Sequence, residues 1–354
     1  MGAEWFTLKN GSSGDRLKEI DRRATALIAP AVRATRSLRW SPRPRNRLIV
    51  RPGGMGDLIL LQLAYERLGL NPADATWLIE KRAAVWAKHG GLDAVYYDQN
   101  TVGTLLKATG RYRTVINSEQ RFGLAAVASD WAVRRRGQLV GFDTNRGRAS
   151  FTSRVGYDWK DAHELLEFAR LISAAEGVPV PSDLLAVPRR LASNGRSVVA
   201  LGGTHSESRN LSAEAWLGWV RSVAGDEPLD LVFGPAEERL GLSLLQLAAG
   251  QLTPRPGSFR DVVQTIGEAE RLITIDGGLV HVATYYGVPA DVLFTAGRDK
   301  KWAPLGAGSR MHFRADLPCR PCTVFGQVPM CPIAFECSKH LDTRLSVFDV
   351  DVVG

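Results

Sequence analysis

Short apolar runs recur along this chain, and a longer stretch with helical spacing follows most of them. The first series is RLIVR (47–51), ATWLIE (75–80), AVYYD (94–98), TVINS (114–118) and QLVGFD (138–143). The second is SVVALGG (197–203), LDLVFG (229–234), RLITID (271–276) and ADVLFT (290–295). Helix-like stretches at 57–68 and 121–136 separate strands of the first series, and those at 212–224, 236–249, 259–268 and 279–286 separate strands of the second. Strands alternating with helices make parallel sheets covered on both faces. Two such series make an α/β chain of two doubly wound domains, with a ligand site in the cleft between them. The 354 residues suffice for two domains of ordinary size. The expected division is a leader and linker over 1–46, a first domain over 47–185, a second over 190–340, and a tail over 341–354. HELLEFARLISAAEGV (163–178) is the last helix of the first domain, and 179–196 is the hinge.

With 45% hydrophobic and 23% charged residues, the composition is that of a soluble globular protein. No run of 18 apolar residues is long enough to span a bilayer. The N-terminus lacks the basic, apolar and small-residue succession of a secretory signal, so a cytoplasmic protein is expected. The net charge of +8 is unevenly spread. Residues 1–47 hold eleven Lys or Arg against four Asp or Glu, a surplus of seven. The remainder is near neutral, which argues against a nucleic-acid groove on the main body. DRLKEIDRRATALIAPAVRATRSLRW (15–40) reads as one or two helices interrupted near Pro30, with Leu17, Ile20, Ala24, Ile28, Val32 and Leu38 as an apolar stripe. Such a basic amphipathic helix packs on the protein's own surface, or meets an acidic partner or the anionic inner face of the cytoplasmic membrane. SPRPRN (41–46) is a linker, its two prolines ending any helix.

Three glycine turns carry chemistry. In RLIVRPGGMGDLILLQL, strand gives way to Gly53-Gly54-Met55-Gly56-Asp57 and then to a helix. It lacks the Gly-Lys-Ser/Thr of a P-loop, and Ile59 stands where a dinucleotide fingerprint needs its third glycine. Asp57 in the first helical turn would repel a phosphate. It is either a helix cap or a general base facing the cleft. In LITIDGGLVHVATYYGVP (272–289), a buried strand ends at Asp276, Gly277 and Gly278 follow, and the helix start can hold a diphosphate. Asp276 suits a sugar hydroxyl or the turn amides, and His281 in the first helical turn is a ligand contact or an ordinary buried histidine. In ALGGTHSESRNLSAEAW (200–216), a strand ends in Gly202-Gly203-Thr204 and a polar loop carries Arg209, which can clamp a diphosphate in a bidentate fork.

Together these stretches, with KWAPLGAGS (301–309), resemble the heptosyltransferase-like glycosyltransferases of glycosyltransferase family 9. The resemblance runs over roughly 47–345 and leaves the basic leader unexplained. It implies the GT-B fold, two facing Rossmann-like domains, and an inverting sugar transfer from a nucleotide-diphospho-sugar without a catalytic metal. No Asp-x-Asp metal motif is present. By this likeness Asp57 is the base that deprotonates the acceptor hydroxyl, and Gly53, Gly54 and Gly56 form the acceptor-side loop. Thr204, Arg209, Asp276, Gly277, Gly278 and His281 serve the donor, an ADP-sugar and specifically ADP-heptose. The acceptor implied is a bacterial cell-surface glycan such as lipopolysaccharide core. Two positions depart from the pattern. Arg209 replaces the usual lysine, keeping charge but changing geometry. Asp276-Gly277-Gly278 replaces Asp-Thr-Gly, losing a hydroxyl that would bond the donor.

All four cysteines, Cys319, Cys322, Cys331 and Cys337, fall within nineteen residues as C-x2-C-x8-C-x5-C. Such a tetrad reads as a structural zinc or iron site that could serve a homo-oligomer contact, as four reduced thiols, or as a redox-labile disulfide. Two other functions compete with the leading one: a degenerate nucleotide-binding scaffold, and a heptosyltransferase acting on a protein acceptor. A nicotinamide-dependent oxidoreductase lacks its glycine fingerprint.

Overall fold

The computed structural model describes residues 13–350, except 40, 43, 100, 146–147, 204–205, 325–327 and 340. After an N-terminal helix α1 (Ser13–Ala34), the first domain runs β1 (Arg45–Arg51), α2 (Met55–Arg67), β2 (Ala75–Ile79), α3 (Ala84–His89), β3 (Asp93–Tyr96) and α4 (Thr101–Ala108). It continues with β4 (Tyr112–Asn117), α5 (Gly123–Ala132), β5 (Val133–Phe142), β6 (Ser153–Val155) and α6 (Glu164–Glu176). Its six strands lie in the order 3-2-1-4-5-6, all parallel.

The second domain runs β7 (Val198–Ala200), α7 (Ala213–Ala224), β8 (Leu229–Val232), α8 (Glu238–Leu247), β9 (Leu252–Pro254), α9 (Phe259–Glu268), β10 (Leu272–Ile275) and α10 (Gly278–Tyr286). It closes with β11 (Ala290–Leu293), β12 (Arg310–Phe313) and β13 (Ser346–Asp349). Its strand order, 13-12-11-10-7-8-9, repeats the first sheet's winding and adds an antiparallel edge, β13 on β12. Residues 346–349 are therefore a sheet edge rather than a trailing segment. In both sheets the order reverses beside the first strand, at β1/β4 and at β7/β10, and loops leaving those carboxyl ends part to form a crevice.

Helix α2 shows how the halves are joined. Every residue from Leu58 to Tyr65 is buried, a pattern apolar all round that only a helix covered on all sides tolerates. It packs under α6 and against α10 of the second domain. One apolar cluster consequently runs through both domains, from Ile49 and Trp77 to Val280 and Phe294.

Helix α1 departs from the expected pattern twice. It is one helix of 22 residues that continues through Pro30. Proline removes only its own amide bond, and here the proline is exposed, so water can satisfy the carbonyl left over. Its buried face is Asp21, Thr25, Ala29 and Val32, whereas Ile28 and Leu38, expected in the apolar stripe, are 44% and 81% exposed. A polar contact sets this rotation. Asp21 accepts hydrogen bonds from the Gly123 and Leu124 amides (2.8 and 2.9 Å) and so caps α5 from outside its own chain segment. Beyond the helix, buried Arg39 bonds to the Asp130 and Val32 carbonyls and stacks on Trp131.

Candidate active site

The first glycine turn leaves β1 and opens α2. Gly53 has φ +125°, a conformation that side chains resist. Gly54 is the N-cap of α2 and makes no side-chain cap bond. Among the described residues Asp57 makes no cap bond, and its partner is Arg51, whose Nη2 donates to Asp57 Oδ2 at 2.7 Å. Arg51 is held from below, donating through Nη1 to the Ser118 carbonyl (2.8 Å) and lying over the Phe168 ring. Burial works against the Arg51 charge, but Asp57, Glu119 and Glu164 more than offset it and hold its pKa above the usual arginine value. Glu119, also buried, has its pKa raised by desolvation, partly countered by Arg51.

The network reaches the second domain. Gln120 donates to Glu164 Oε1 (2.7 Å). Glu164 Oε2 takes the Tyr157 hydroxyl and the Lys301 ammonium, each at 2.8 Å. Glu164 and Lys301 are each 2% exposed, so the two domains share a buried ion pair. Burial and Glu164 together raise the Tyr157 pKa, keeping its phenol a donor. Beside it, His163 accepts the Leu165 amide at Nδ1 and meets the Ala303 carbonyl through Nε2 (3.0 Å), and burial drives its pKa down to about 3. None of Arg51, Gln120, Glu164 and Lys301 was expected from the sequence. Arg51 ends the first strand and Lys301 opens the KWAPLGAGS stretch, but only the fold pairs them with carboxylates.

The second domain brings its glycine turn to meet the first. A Cβ on Gly56 would lie 2.5 Å from His281 Cδ2 and 3.3 Å from Gly278 Cα, and one on Gly278 would lie 3.3 Å from Met55 Cε. The two helix starts therefore face each other at a separation that side chains would prevent. His281 is buried, its Nδ1 has no hydrogen-bond partner among the described residues, and desolvation lowers its pKa despite the nearby Asp57 and Asp276. Asp276, 5% exposed, takes Arg209 Nη2 at 3.0 Å. Thr204 lies outside the described residues.

A cavity of about 360 Å³ opens at this junction. Gly202 and Gly203 after β7 and Gly277 to Leu279 opening α10 line one part. Phe233, Pro235 and Glu237 after β8, with Phe259 and Val262 of α9, line another, and Met55 enters from the first domain. The aromatic and carboxylate residues of this wall were not singled out in the sequence; their positions just past β8 and at the head of α9 were the available signal.

The four cysteines are free thiols. Burial and then Cys322 push the Cys337 thiol up to about 11, and Cys319 and Cys331 act on both, so the four share a neighbourhood. They do not form the expected ligand set: among the described residues no three His, Cys, Asp or Glu are arranged to hold a metal. Cys322 leans on the Ala296 carbonyl (3.9 Å), and Cys331 takes the Phe335 amide (3.2 Å). Among the described residues no helix is long and apolar enough to cross a membrane.

No protein-family pattern and no curated protein matches the chain. Solved structures do. E. coli heptosyltransferase WaaC with ADP superposes with a TM-score of 0.58 at 16% identity, covering 74% of this chain and 91% of its own. E. coli ADP-heptose lps heptosyltransferase II gives 0.56 at 15% identity, covering 75% and 89%. The family 9 glycosyl transferase of Veillonella parvula gives 0.54 at 15%, covering 77% and 87%. The fold is thus GT-B, of the kind these glycosyltransferases share.

Proposed function

We propose that the chain is an inverting glycosyltransferase that uses a nucleotide-diphospho-sugar, with ADP-heptose as donor and a bacterial cell-surface glycan such as lipopolysaccharide core as acceptor. The observation that carries this reading is the close approach of two glycine-rich helix starts beside a cavity, with Asp57 in the first turn and Arg209 bonded to Asp276 ahead of the second. In this reading the cavity wall of Phe233, Pro235, Phe259 and Val262 receives the nucleobase, and Glu237 receives the ribose hydroxyls. The α10 amides and Arg209 hold the diphosphate, since an unbonded helix N-terminus favours an anion and a guanidinium bonds two oxygens at once. Arg209 must then exchange part of its hold on Asp276 for the phosphate. Arg51 holds Asp57 through Oδ2, leaving Oδ1 for the acceptor hydroxyl. The acceptor oxygen, losing its proton to Asp57, attacks the anomeric carbon, and the diphosphate leaves on the opposite side, its charge met by preorganised donors.

On this reading a carboxylate suits the first glycine turn, because that turn serves the acceptor and has no phosphate to hold. The cysteine loop is proposed to take up zinc or iron as a structural ion. Its donor chemistry fits, although the thiols must draw together, and no step of the transfer involves it. Metal analysis is expected to find one ion per chain, lost when Cys319 and Cys322 are replaced.

The decisive experiment compares the protein with Asp57→Asn. Donor binding is read from the rise in melting temperature with ADP and ADP-heptose, and transfer from release of ADP in the presence of acceptor. The variant is expected to keep the donor shift and lose transfer by at least a hundredfold. Equal rates would remove Asp57 from the mechanism. A shift without transfer in the parent protein would favour the degenerate nucleotide-binding scaffold, and the absence of both would overturn the donor reading.

A further inference from the structure

Helix α2 begins at one glycine turn and α10 at the other, and the two helices pack against each other. Their opposite ends meet in a second cavity, of about 330 Å³. Gln62 and Glu66 enter it from α2, Tyr285 and Tyr286 from α10, His89 from the end of α3, and Arg190 from the segment between α6 and β7. With a rise of 1.5 Å per residue, Glu66 and Tyr285 lie roughly 10–14 Å along their helices from Asp57 and Gly278. No residue lines both cavities.

The groups gathered here form a box for a cation. Glu66 Oε1 accepts the Tyr285 hydroxyl (2.9 Å) and the Gln62 side-chain amide (2.8 Å), and Oε2 accepts Arg190 Nη2 (2.8 Å). The Arg190 guanidinium lies 4.0 Å over the Tyr285 ring. Trp86 and Tyr286 meet Tyr285 edge to face, at 5.0 and 5.3 Å. His89 meets the Tyr286 hydroxyl (2.7 Å), and burial and then Arg260 lower its pKa, so it adds no charge at neutral pH. Carboxylate and aromatic face attract a cation from two sides.

The guanidinium already seated there shows what the box accepts. It is a loose plug, because the Arg190 side chain is 31% exposed and its long stem can swing into water. A carboxylate offers about four acceptor directions. Three on Glu66 are taken among the described residues, and the open one is on Oε2. An anion finds less, since Arg190 is the only cation of the lining and is already paired.

We propose that this cavity is an effector site for a small organic cation, a guanidinium or alkylammonium on a short chain, which competes with Arg190 for Glu66 and weakens donor binding through α2 and α10. With Glu66 shared with a ligand, Arg190 and Tyr285 lose part of their tie to α2. The far ends of the two helices whose starts form the glycine turns are then less firmly joined. The cation site does not rest on the transferase reading; its control of donor binding does.

The test is calorimetric titration of the full chain with agmatine sulfate, with sodium sulfate at equal ionic strength as control. Saturable agmatine binding is expected, at least tenfold weaker in Glu66→Gln and at least threefold tighter in Arg190→Met, which removes the internal competitor. Both side chains are partly exposed, so the variants fold, which their melting temperatures check. If Glu66→Gln does not fold, the tightening in Arg190→Met decides alone. No saturable binding in the parent, binding unchanged in a folded Glu66→Gln, no tightening in Arg190→Met, or an equal response to sodium sulfate overturns the proposal. Saturating agmatine is expected to raise the Kd for ADP at least threefold, and ADP to raise that for agmatine by the same factor, because coupling between sites is reciprocal. An ADP affinity that agmatine leaves unmoved overturns the control of donor binding. If agmatine binds through Glu66 but ADP does not bind the parent at all, the cation site stands and the donor reading fails.

Discussion

The approach of the two glycine turns can be tested by one methyl group. A Cβ at position 56 would sit 2.5 Å from His281 Cδ2, whereas ordinary contact begins at 3.4 Å. Gly56→Ala therefore forces the imidazole, or the whole α10 turn, back by about 1 Å. Gly56 lies in α2, so alanine improves helix propensity by about 1 kcal/mol. Overpacking costs typically 1–3 kcal/mol, so the net loss of stability stays within about 2 kcal/mol and the protein folds. The effect on transfer is of another order, because a misplacement of about 1 Å between reacting groups can cost about a hundredfold in rate. We expect kcat to fall about a hundredfold with the melting temperature within several degrees of the parent. The melting shift given by ADP should be reduced but not abolished, because the α10 turn proposed to hold the diphosphate moves while the wall formed by Phe233, Pro235 and Phe259 is untouched. A variant turning over within threefold of the parent would refute the argument: the closed approach of Gly56 to His281 would then not be the reactive arrangement.

Removing the Lys301 ammonium (Lys301→Met) strands the Glu164 carboxylate in a site 2% exposed and should cost about 3–5 kcal/mol. The double change Lys301→Met/Glu164→Gln should recover most of it, and a denaturation cycle showing additive losses would deny the pairing. Arg209→Met is expected to raise the donor KM at least tenfold and Arg209→Lys less, as steady-state kinetics would show; equal effects would mean that the fork geometry is unimportant. For His163 the folded pKa of about 3 lies below the unfolded value near 6.5, so the unfolded chain takes up a proton that the native state refuses. Its stabilising contribution is full above pH 6.5 and is lost as pH falls towards 3, roughly 2–3 kcal/mol of it by pH 4.5. Urea unfolding at pH 7 and 4.5 should show a shallower loss in His163→Asn than in the parent.

Much of the architecture was legible because each strand carries its own signal. LITI and LDLV read as buried strands and are buried at every position, and the stretches 212–224 and 259–268 are close to α7 and α9. The short pieces were not legible. β6 has three residues and β13 pairs by its backbone with a solvent-facing edge, so neither shows a hydrophobic pattern. The leader failed for a different reason. Its apolar spacing fits a helix, but which face turns inward was decided by two hydrogen bonds to Asp21 from residues a hundred positions away. Within the site the glycine turns announced themselves, since backbone that must approach closely needs glycine whatever surrounds it. The groups that hold Asp57 did not, because an arginine ending a strand looks the same whether it meets water or a carboxylate.

That asymmetry says how the site is divided. The residues legible in sequence, Gly53 to Asp57 and Asp276 to His281, are local: each set occupies one turn, and its chemistry follows from the helix it opens. The residues that were hidden, Arg51, Gln120, Glu164, Tyr157 and Lys301, join elements far apart in the chain. Their chain of bonds runs from the Asp57 carboxylate through the first domain to a lysine of the second, and the Glu164 backbone amide also donates to the Lys301 carbonyl (3.0 Å). Parting the two domains at the cleft would leave Glu164 without its cation in a buried site, at a cost large enough to oppose wide opening. The same contact that closes the cleft therefore completes the charge balance around Arg51, and a base poised by Arg51 is fully assembled only in a chain whose two halves are together. On this account Lys301→Met should depress transfer more than donor binding, because the wall that receives the nucleotide lies almost wholly within the second domain, whereas Asp57 depends on both.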